Sequence, residues 1–259
     1  MFEVATLGSG SAGNAMLVRG ASTAFLVDAG LTAKQLATRL AVFGVRLEDL
    51  SGVLITHEHS DHMSALKVLL NRHQLPVYCN PMTARALNDG GLQNSQWKFF
   101  QNGFDFTLGE FTIRPFSVPH DAADPVGFRI TTREVAFGVL TDLGHATKLA
   151  MEMLRGVEGL FIESNHCEEM LINDPRRPWA LKNRIRSKHG HLSNKDAAQV
   201  LTDLDAPALR HVILGHLSRD CNMPHLAENL AKSALEALPR GTTTYCATQE
   251  APSPRFSFI

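Results

Sequence analysis

The order of apolar and polar positions predicts short strands interleaved with amphipathic helices. Short apolar runs bounded by turn residues predict strands at 2–7, 15–18, 23–27, 53–56, 77–79, 128–132, 135–140, 160–163, 212–214 and 242–246, with strand-like spacing and turns across 97–118. Helical spacing of apolar residues predicts helices at 32–43, 63–73, 83–88, 195–204 and 224–238. Gly44 is a stop signal for the first helix, and Ser193 or Asn194 is a plausible cap for the fourth. We expect a polar tail after 246, and because no linker or low-complexity stretch interrupts the pattern, one domain over 1–259.

A glycine-rich loop follows the first predicted strand. Residues 8–13 have the G-x-G-x-x-G spelling of a dinucleotide-binding loop. That motif needs a helix directly after the glycines, whereas 15–18 and 23–27 predict strands. We therefore interpret the loop as a tight turn whose backbone approaches an active site. Asp28, at the end of a strand, is interpreted as a structural acid that braces neighbouring loops.

Composition describes an ordinary globular chain of 259 residues, with 44% hydrophobic and 20% charged residues. Lys and Arg (25) nearly balance Asp and Glu (26), so any contact with nucleic acid must come from a local patch or from bound metal. We find no targeting segment and no run long enough for a membrane span, so we expect no membrane partner. The four cysteines are scattered, which favours a reduced cytoplasmic setting. No feature sets an oligomeric state.

Residues 57–62 concentrate the candidate chemistry. His57, His59, Asp61 and His62 follow the apolar run 53–55 directly. In an extended chain His57 and His59 point to the same side, and a turn through Ser60 would bring Asp61 and His62 to a second point nearby. A polar histidine-rich loop is the simpler alternative. However, four such groups crowded at the end of a buried strand would repel and desolvate one another without an ion.

Three later positions repeat the design of an apolar strand followed by a ligand-type residue. They are His120, Asp142 and His216. Open α/β sheets place their sites at strand ends of this kind. Each residue alone is more typical of an ordinary loop or cap, but together with the first cluster they complete a donor set for two ions.

The order H-x-H-x-D-H, then His, Asp and His resembles the metallo-β-lactamase superfamily. The resemblance implies an α+β fold, the four-layer αβ/βα sandwich, with metals at one edge of two sheets. It implies that His57, His59 and His120 bind a first metal, that Asp61, His62 and His216 bind a second, and that Asp142 bridges them. Nitrogen and oxygen donors suit zinc, manganese or iron, so two divalent ions are expected without a choice among these metals.

Glu163 and His191 narrow the choice within the superfamily. They resemble the coupled acid and histidine of tRNA 3′-processing nucleases and β-CASP nucleases, in which the histidine helps to protonate the leaving oxygen. The alternatives are a structural carboxylate and a loop histidine. Asp142 and His216 are too close for the inserted β-CASP domain, and no long exosite arm is evident.

With neither a β-CASP domain nor an exosite arm evident, the chain is similar to the single-domain YycJ/WalJ family. The similar segments are 7–14 (LGSGSAGN), 117–123 (SVPHDAA), 163–166 (ESNH), 190–194 (GHLSN) and 215–218 (GHLS). Departures are Leu143-Gly144-His145 after Asp142, and Cys167. The resemblance implies a metal-dependent 5′-to-3′ exonuclease acting on DNA and linked with DNA repair. In that reading Asp61 ligates the second metal and orients the nucleophile, and His191, steadied by Glu163, protonates the departing oxygen.

The segment 175–191 is the most basic in the chain. We predict that Trp179, Arg184, Arg186 and Lys188 bind nucleic acid, DNA or RNA, because cations meet phosphates and an indole can stack a base. The alternative is a solvated helix face with Trp179 in the core. His166 is either a partner of the site residues or a hydrogen-bonded loop histidine. Alternative functions are a small-molecule cyclic phosphodiesterase, an RNA-processing nuclease and a non-enzymatic metal-binding module.

Overall fold

The computed structural model describes residues 1–92, 97–236 and 241–258. Its strands, in chain order, are β1 (Phe2–Gly8), β2 (Ala15–Arg19), β3 (Ala24–Val27), β4 (Val53–Leu54), β5 (Val77–Cys79), β6 (Trp97–Phe99), β7 (Phe106–Leu108), β8 (Phe111–Ser117), β9 (Val126–Thr131), β10 (Ala136–Leu140), β11 (Gly159–Glu163), β12 (His211–Gly215), β13 (Thr243–Cys246) and β14 (Phe256–Phe258). They form two seven-stranded sheets, in the orders β14-β1-β2-β3-β4-β5-β6 and β13-β12-β11-β10-β9-β8-β7. In each sheet the antiparallel strands give way to a parallel half, β3 to β6 and β10 to β13.

Helices cover the outer faces of both sheets. They are α1 (Ala33–Ala41), α2 (Ser60–Met63), α3 (Leu66–Val68), α4 (Pro81–Asp89), α5 (Lys148–Met153), α6 (Glu168–Asn173), α7 (Trp179–Ile185), α8 (Asn194–Asp203) and α9 (Pro224–Glu236), with a 3-10 turn at Leu47–Asp49 and a π-helical turn at Leu69–His73. None of the helices in the described parts of the chain combines the length and apolar character that crossing a bilayer requires.

Three hydrophobic clusters lie between the layers of sheets and helices and hold them together. Phenylalanines dominate the cluster between the sheets, where the Phe2 ring lies 5.3 Å from that of Phe111 and 5.6 Å from that of Phe258. A second cluster joins the first sheet to α1, through Leu36 and Leu40, and to α4. A third joins the other sheet to α5, α8 and α9. This is the predicted αβ/βα sandwich.

The predicted helix at 63–73 is wrong in its start and in its continuity. The structure begins a helix at Ser60 and breaks it after Met63. Competing hydrogen bonds explain the break: the Asp61 carbonyl accepts the Asn14 amide at 2.8 Å, and the Ala65 amide donates to Ala29 at 2.9 Å. The neighbouring loops thus take groups that a continuous helix would pair internally.

The prediction of a polar tail after residue 246 is also wrong. Residues Phe256–Phe258 form β14, which pairs antiparallel with β1, and Phe258 opposes Phe2. Prolines at 252 and 254 and the short length of the run conceal this strand in the sequence. The predicted helix at 224–238 is confirmed as Pro224–Glu236, and its last two positions lie outside the described residues.

Candidate metal centre and active site

The predicted donors lie at one edge of the two sheets, in the loops that follow β4, β8, β10 and β12. His57, His59 and His120 offer ligand atoms within 4.8 Å of one another, and so do Asp61, His62 and His216. These are the two trios that the family resemblance implies. Asp142 lies between them, with Oδ2 3.2 Å from His62 Nε2 and Oδ1 3.8 Å from His120 Nε2. The structure therefore brings all seven residues together in a candidate site for divalent metal.

Three residues at this edge hold a left-handed backbone. Asp28, Asp142 and His216 follow β3, β10 and β12 with φ of 61°, 53° and 53°. Residues other than glycine rarely adopt this conformation, and when they do the surrounding structure must stabilise it. The turn ends each strand abruptly and directs its side chain into the centre.

Hydrogen bonds from outside the donor set hold the histidine rings. His62 Nδ1 lies 2.7 Å from an Asp28 carboxylate oxygen, and His120 Nδ1 lies 3.0 Å from the Gly190 carbonyl. The Thr56 hydroxyl donates to Asp28 and lies 3.0 Å from His57 Nδ1. Each of these rings is thus held through Nδ1, so Nε2 is the nitrogen that remains to bind a metal ion.

His57 Nε2 provides a direct test of fit to a metal. This atom is buried and has no hydrogen-bond partner among the described residues. A buried polar atom without a partner is costly unless something else satisfies it. Because the other donors of the trio surround it, the residues fit a cation bound at this point.

The glycine loop supports the second trio. Ser9 Oγ accepts the His216 amide at 2.7 Å and donates to Asn14 Oδ1 at 2.9 Å. Asn14 Nδ2 in turn lies 3.3 Å from Asp61 Oδ2. A Cβ at Gly30 would lie 1.6 Å from the Asp61 carbonyl oxygen, so only glycine allows this approach. The predictions of an active-site loop and of a bracing Asp28 are confirmed, whereas the contributions of Ser9 and Asn14 were not predicted.

Buried carboxylates control the charge of the donor histidines. Burial disfavours a charged His62, but Asp142 and Asp28 outweigh it and raise the pKa of His62 well above its ordinary value. Against the same effect of burial, Asp142 raises the pKa of His216. Burial and the charge of His62 lower the pKa of His57. The carboxylates that draw protons to His62 and His216 would also favour a divalent cation, because metal and proton compete for the same lone pairs.

Glu163 joins the candidate general acid to the metal donors. Its Oε1 lies 2.7 Å from His191 Nδ1 and 2.9 Å from His216 Nδ1. Its Oε2 accepts the amides of Leu143 and Leu192 at 3.2 Å and 3.1 Å. Glu163 is fully buried, yet the charge of His191 outweighs burial and holds the pKa of Glu163 at about 2. His191 and Glu163 therefore form a hydrogen-bonded pair in the structure, and the same carboxylate also orients the His216 ring.

A cavity of about 290 Å³ opens over this centre. Arg177, Leu181, Arg184 and Ile185 form one wall, and His191 lines the same space. Of the predicted substrate-binding residues, only Arg184 lines the cavity, while Trp179, Arg186 and Lys188 are exposed outside its lining. The interpretation of Trp179 as a core residue is wrong, because it is 61% exposed.

The loop after β11 holds the second trio from behind. Asn165 lines the cavity and donates through Nδ2 to the His216 carbonyl at 2.8 Å. His166 is buried outside the cavity lining, and its Nδ1 has no hydrogen-bond partner within the described chain. Burial lowers the pKa of His166 to about 4, so the ring is neutral. Asn165, and not His166, is the residue of this pair that contacts the site.

Known proteins share both the sequence and the fold. A β-lactamase superfamily domain matches residues 23–217. The chain is 37% identical to exodeoxyribonuclease YycJ of Bacillus anthracis over 89% of its own length and 88% of that protein. It is 36% identical to exodeoxyribonuclease WalJ of Streptococcus pneumoniae over 87% of its length and 85% of that protein. The crystal structure of the metallo-β-lactamase fold protein YhfI from Bacillus subtilis superposes with a TM-score of 0.70 at 20% identity, covering 97% of this chain and 98% of YhfI. The chain therefore belongs to the metallo-β-lactamase superfamily of hydrolases and, within it, to the YycJ/WalJ family.

Proposed function

We propose that this protein is a dinuclear metal-dependent phosphodiesterase that removes nucleotides from DNA ends in the 5′-to-3′ direction. One observation carries the proposal: the two donor trios share a cavity with His191 and Glu163, in a chain 37% identical to an exodeoxyribonuclease. The arginine-bearing wall of the cavity supports a phosphate-containing substrate.

The donors divide as the family resemblance implies. One ion would be held by His57, His59 and His120, and the other by Asp61, His62 and His216, with Asp142 reaching both. When bound, divalent ions supply Lewis acidity toward a phosphoryl oxygen and make water nucleophilic at neutral pH. We propose zinc or manganese, with iron compatible with the same donors.

His191 is the group placed to move a proton. Its Nδ1 is committed to Glu163, so Nε2 is the nitrogen left to face a substrate in the cavity. Burial opposes a charged ring, but the Glu163 carboxylate outweighs it and raises the pKa of His191. The raised pKa favours the protonated ring, which suits His191 to donate a proton to the departing alkoxide oxygen.

We also propose that the protein acts in the cytoplasm and takes part in DNA repair. The four cysteines are free, two of them buried, which supports a reduced cytoplasmic compartment. A role in DNA repair would make a deletion strain sensitive to DNA damage, and expression of the wild-type chain but not of Asp61→Ala should restore resistance.

A substrate panel tests the proposed function. Metal-loaded protein is incubated with single-stranded and duplex DNA, with RNA, and with a cyclic nucleotide, in zinc or manganese. We expect DNA to be shortened from its 5′ end, and Asp61→Ala to slow the reaction at least about 100-fold because a metal donor is lost. Glu58→Gln is the matched control, since Glu58 lies in the same motif but its Oε1 accepts the Ala123 amide.

Three results would overturn the proposal. Turnover of the cyclic nucleotide without DNA cleavage would make the protein a small-molecule phosphodiesterase, and cleavage of RNA alone would make it an RNA-processing nuclease. A single tightly bound ion with no turnover of any substrate would make it a metal-binding module.

A leaving-group comparison tests His191. We expect His191→Ala to lower kcat on DNA by about 100-fold to 10,000-fold, but to have a much smaller effect on bis-p-nitrophenyl phosphate, whose leaving group needs no proton. His189→Ala, which removes an exposed histidine two positions away, is the control. Equal losses on the two substrates would show that His191 does not act as the acid.

A further inference from the structure

We propose that Arg177 and Arg184 form a subsite for the terminal phosphate group of a polynucleotide strand. The inference rests on the proposed nuclease function and deepens it, because it names the group at the strand end that the protein recognises. Both side chains line the cavity over the metal centre, Arg177 from the loop before α7 and Arg184 from the last turn of that helix.

Two elements bring these arginines, and not the rest of the basic segment, to the cavity. Leu181, Arg184 and Ile185 follow the spacing of one face of α7, and Arg177, in the loop just before the helix, extends the same cavity wall. Trp179 and Arg186 fall on other faces. Lys182 is buried and donates to the Ile172 carbonyl at 2.6 Å, so its ammonium group serves the fold.

Arg177 is held in place before any ligand arrives. Its guanidinium donates to Asp174, and its Nη2 donates to Asp220 at 3.0 Å, so it bridges the loop before α7 and the loop after β12. Its side chain is only 19% exposed. A guanidinium fixed in this way loses little conformational entropy when it binds an anion.

Arg184 offers the complementary donors. Its Nε donates to Asp121, the residue that follows the metal donor His120. Within the described chain its Nη1 and Nη2 have no hydrogen-bond partner, and its side chain is 62% exposed. The outer edge of the guanidinium is therefore available for the two parallel bonds that guanidinium makes to phosphate.

The surroundings point to a nucleotide. Leu181 and Ile185 belong to the same cavity wall as the arginines and present apolar surface that suits a sugar or base. Ser11 and Ser218 add neutral hydroxyls to the lining. A cavity of about 290 Å³ is at the lower end of the range for small-molecule sites, which favours one nucleotide over a longer segment. When the scissile phosphodiester of such a nucleotide lies at the metal centre, its other phosphate is the one at the end of the strand.

Kinetics on strands with different ends test the subsite. Metal-loaded full-length protein is given otherwise identical single strands with a 5′-phosphate, a 3′-phosphate or hydroxyls at both ends. We expect a kcat/KM at least about tenfold higher for the 5′-phosphate strand than for the hydroxyl strand, mainly through KM, since charge-assisted bonds to phosphate are strong. Arg177→Gln and Arg184→Gln should each reduce this ratio toward one.

Arg176→Gln is the matched control. Arg176 pairs with the same carboxylates as Arg177, Asp174 and Asp220, but it does not line the cavity. Arg176→Gln should leave unchanged the ratio of kcat/KM between the 5′-phosphate and hydroxyl strands. Loss of this preference in Arg176→Gln would assign the effect to the carboxylate network and overturn the inference. If Arg177→Gln fails to fold, the largely exposed Arg184 decides the matter.

The outcomes separate the two proposals. Cleavage of DNA with no preference for a terminal phosphate, or with a preference that survives both substitutions, overturns the subsite and leaves the nuclease function standing. A preference for the 3′-phosphate strand keeps a phosphate subsite but contradicts the proposed 5′ polarity. Absence of any DNA cleavage overturns both.

Discussion

Asp28 shows how a residue outside the donor set can control the metal centre. Its carboxylate accepts the Thr56 amide at 2.9 Å and lies 2.7 Å from His62 Nδ1. The same residue has a left-handed backbone, which aspartate and asparagine adopt more readily than most residues. Asp28 therefore turns the chain after β3 through its backbone and holds the ring of His62, a candidate metal donor, through its side chain.

Asp28→Asn should weaken metal binding without unfolding the protein. Asparagine tolerates the left-handed backbone, but its amide has one acceptor oxygen where the carboxylate has two, so His62 or Thr56 loses a partner. We expect zinc affinity to fall about 10-fold to 100-fold, measured by competition with a chelator. Asp89→Asn, at an exposed carboxylate on α4, is the control. Equal zinc affinity in the two variants would mean that Asp28 does not orient His62.

At the scale of elements, contacts between neighbouring loops determine where a helix breaks and how the turns of the two sheets are joined. The break between α2 and α3 arises because the loops at Asn14 and Ala29 bond to its backbone. The β2–β3 turn of one sheet is likewise held by Glu110, from the β7–β8 turn of the other. Glu110 accepts the Ser22 amide at 2.9 Å and the Ser22 hydroxyl at 3.1 Å.

This link between the turns should depend on pH. Burial opposes ionisation, but the Ser22 amide outweighs it and lowers the pKa of Glu110 from 4.5 to about 2. The unfolded chain therefore binds more protons than the folded one between these values. The stabilisation by Glu110 is complete above about pH 5 and is lost as the pH falls toward 2.

Glu110→Gln should lower the free energy of unfolding at pH 7, by about 1 kcal/mol or less because the side chain is exposed. The difference from the wild type should shrink between pH 6 and pH 3.5 in urea titrations. Glu134→Gln, on the neighbouring hairpin, is the control for a change of surface charge. A difference that stays constant with pH would contradict the role of the ionised carboxylate.

At the scale of the whole molecule, the C-terminal strand closes the core between the sheets. Phe258 is 1% exposed, and its ring centroid lies 5.6 Å from that of Phe2 and 5.8 Å from that of Phe137. Strand β14 thereby ties the end of the chain to its beginning.

Phe258→Ala should lower the free energy of unfolding by about 3–5 kcal/mol, because it removes a large side chain from a packed core. Urea denaturation measures the change. Phe104→Ala is the control, since Phe104 is 62% exposed, and we expect it to alter stability by about 0.5 kcal/mol or less. Similar small effects for both phenylalanines would show that β14 adds little to the core.

The sequence by itself, through the order of its motifs and their resemblance to the metallo-β-lactamase superfamily, determined the expected fold class and the seven candidate metal donors. His57, His59, Asp61 and His62 are close along the chain, so their spacing alone predicts that they converge. His120, Asp142 and His216 each follow an apolar run, and parallel strands end at a common edge. Local periodicity and order along the chain carry this information.

Only the tertiary structure decided which groups hydrogen-bond to these candidate donors and orient them. Glu163 contacts both His191 and His216, and Gly190 holds His120 across 70 positions of the chain. Arg177 lines the cavity from the loop before α7, where Asp174 and Asp220 hold its guanidinium, although a run of basic residues gives no reason to prefer it over Arg186. Such contacts depend on how distant segments pack, and no periodicity within either segment records them.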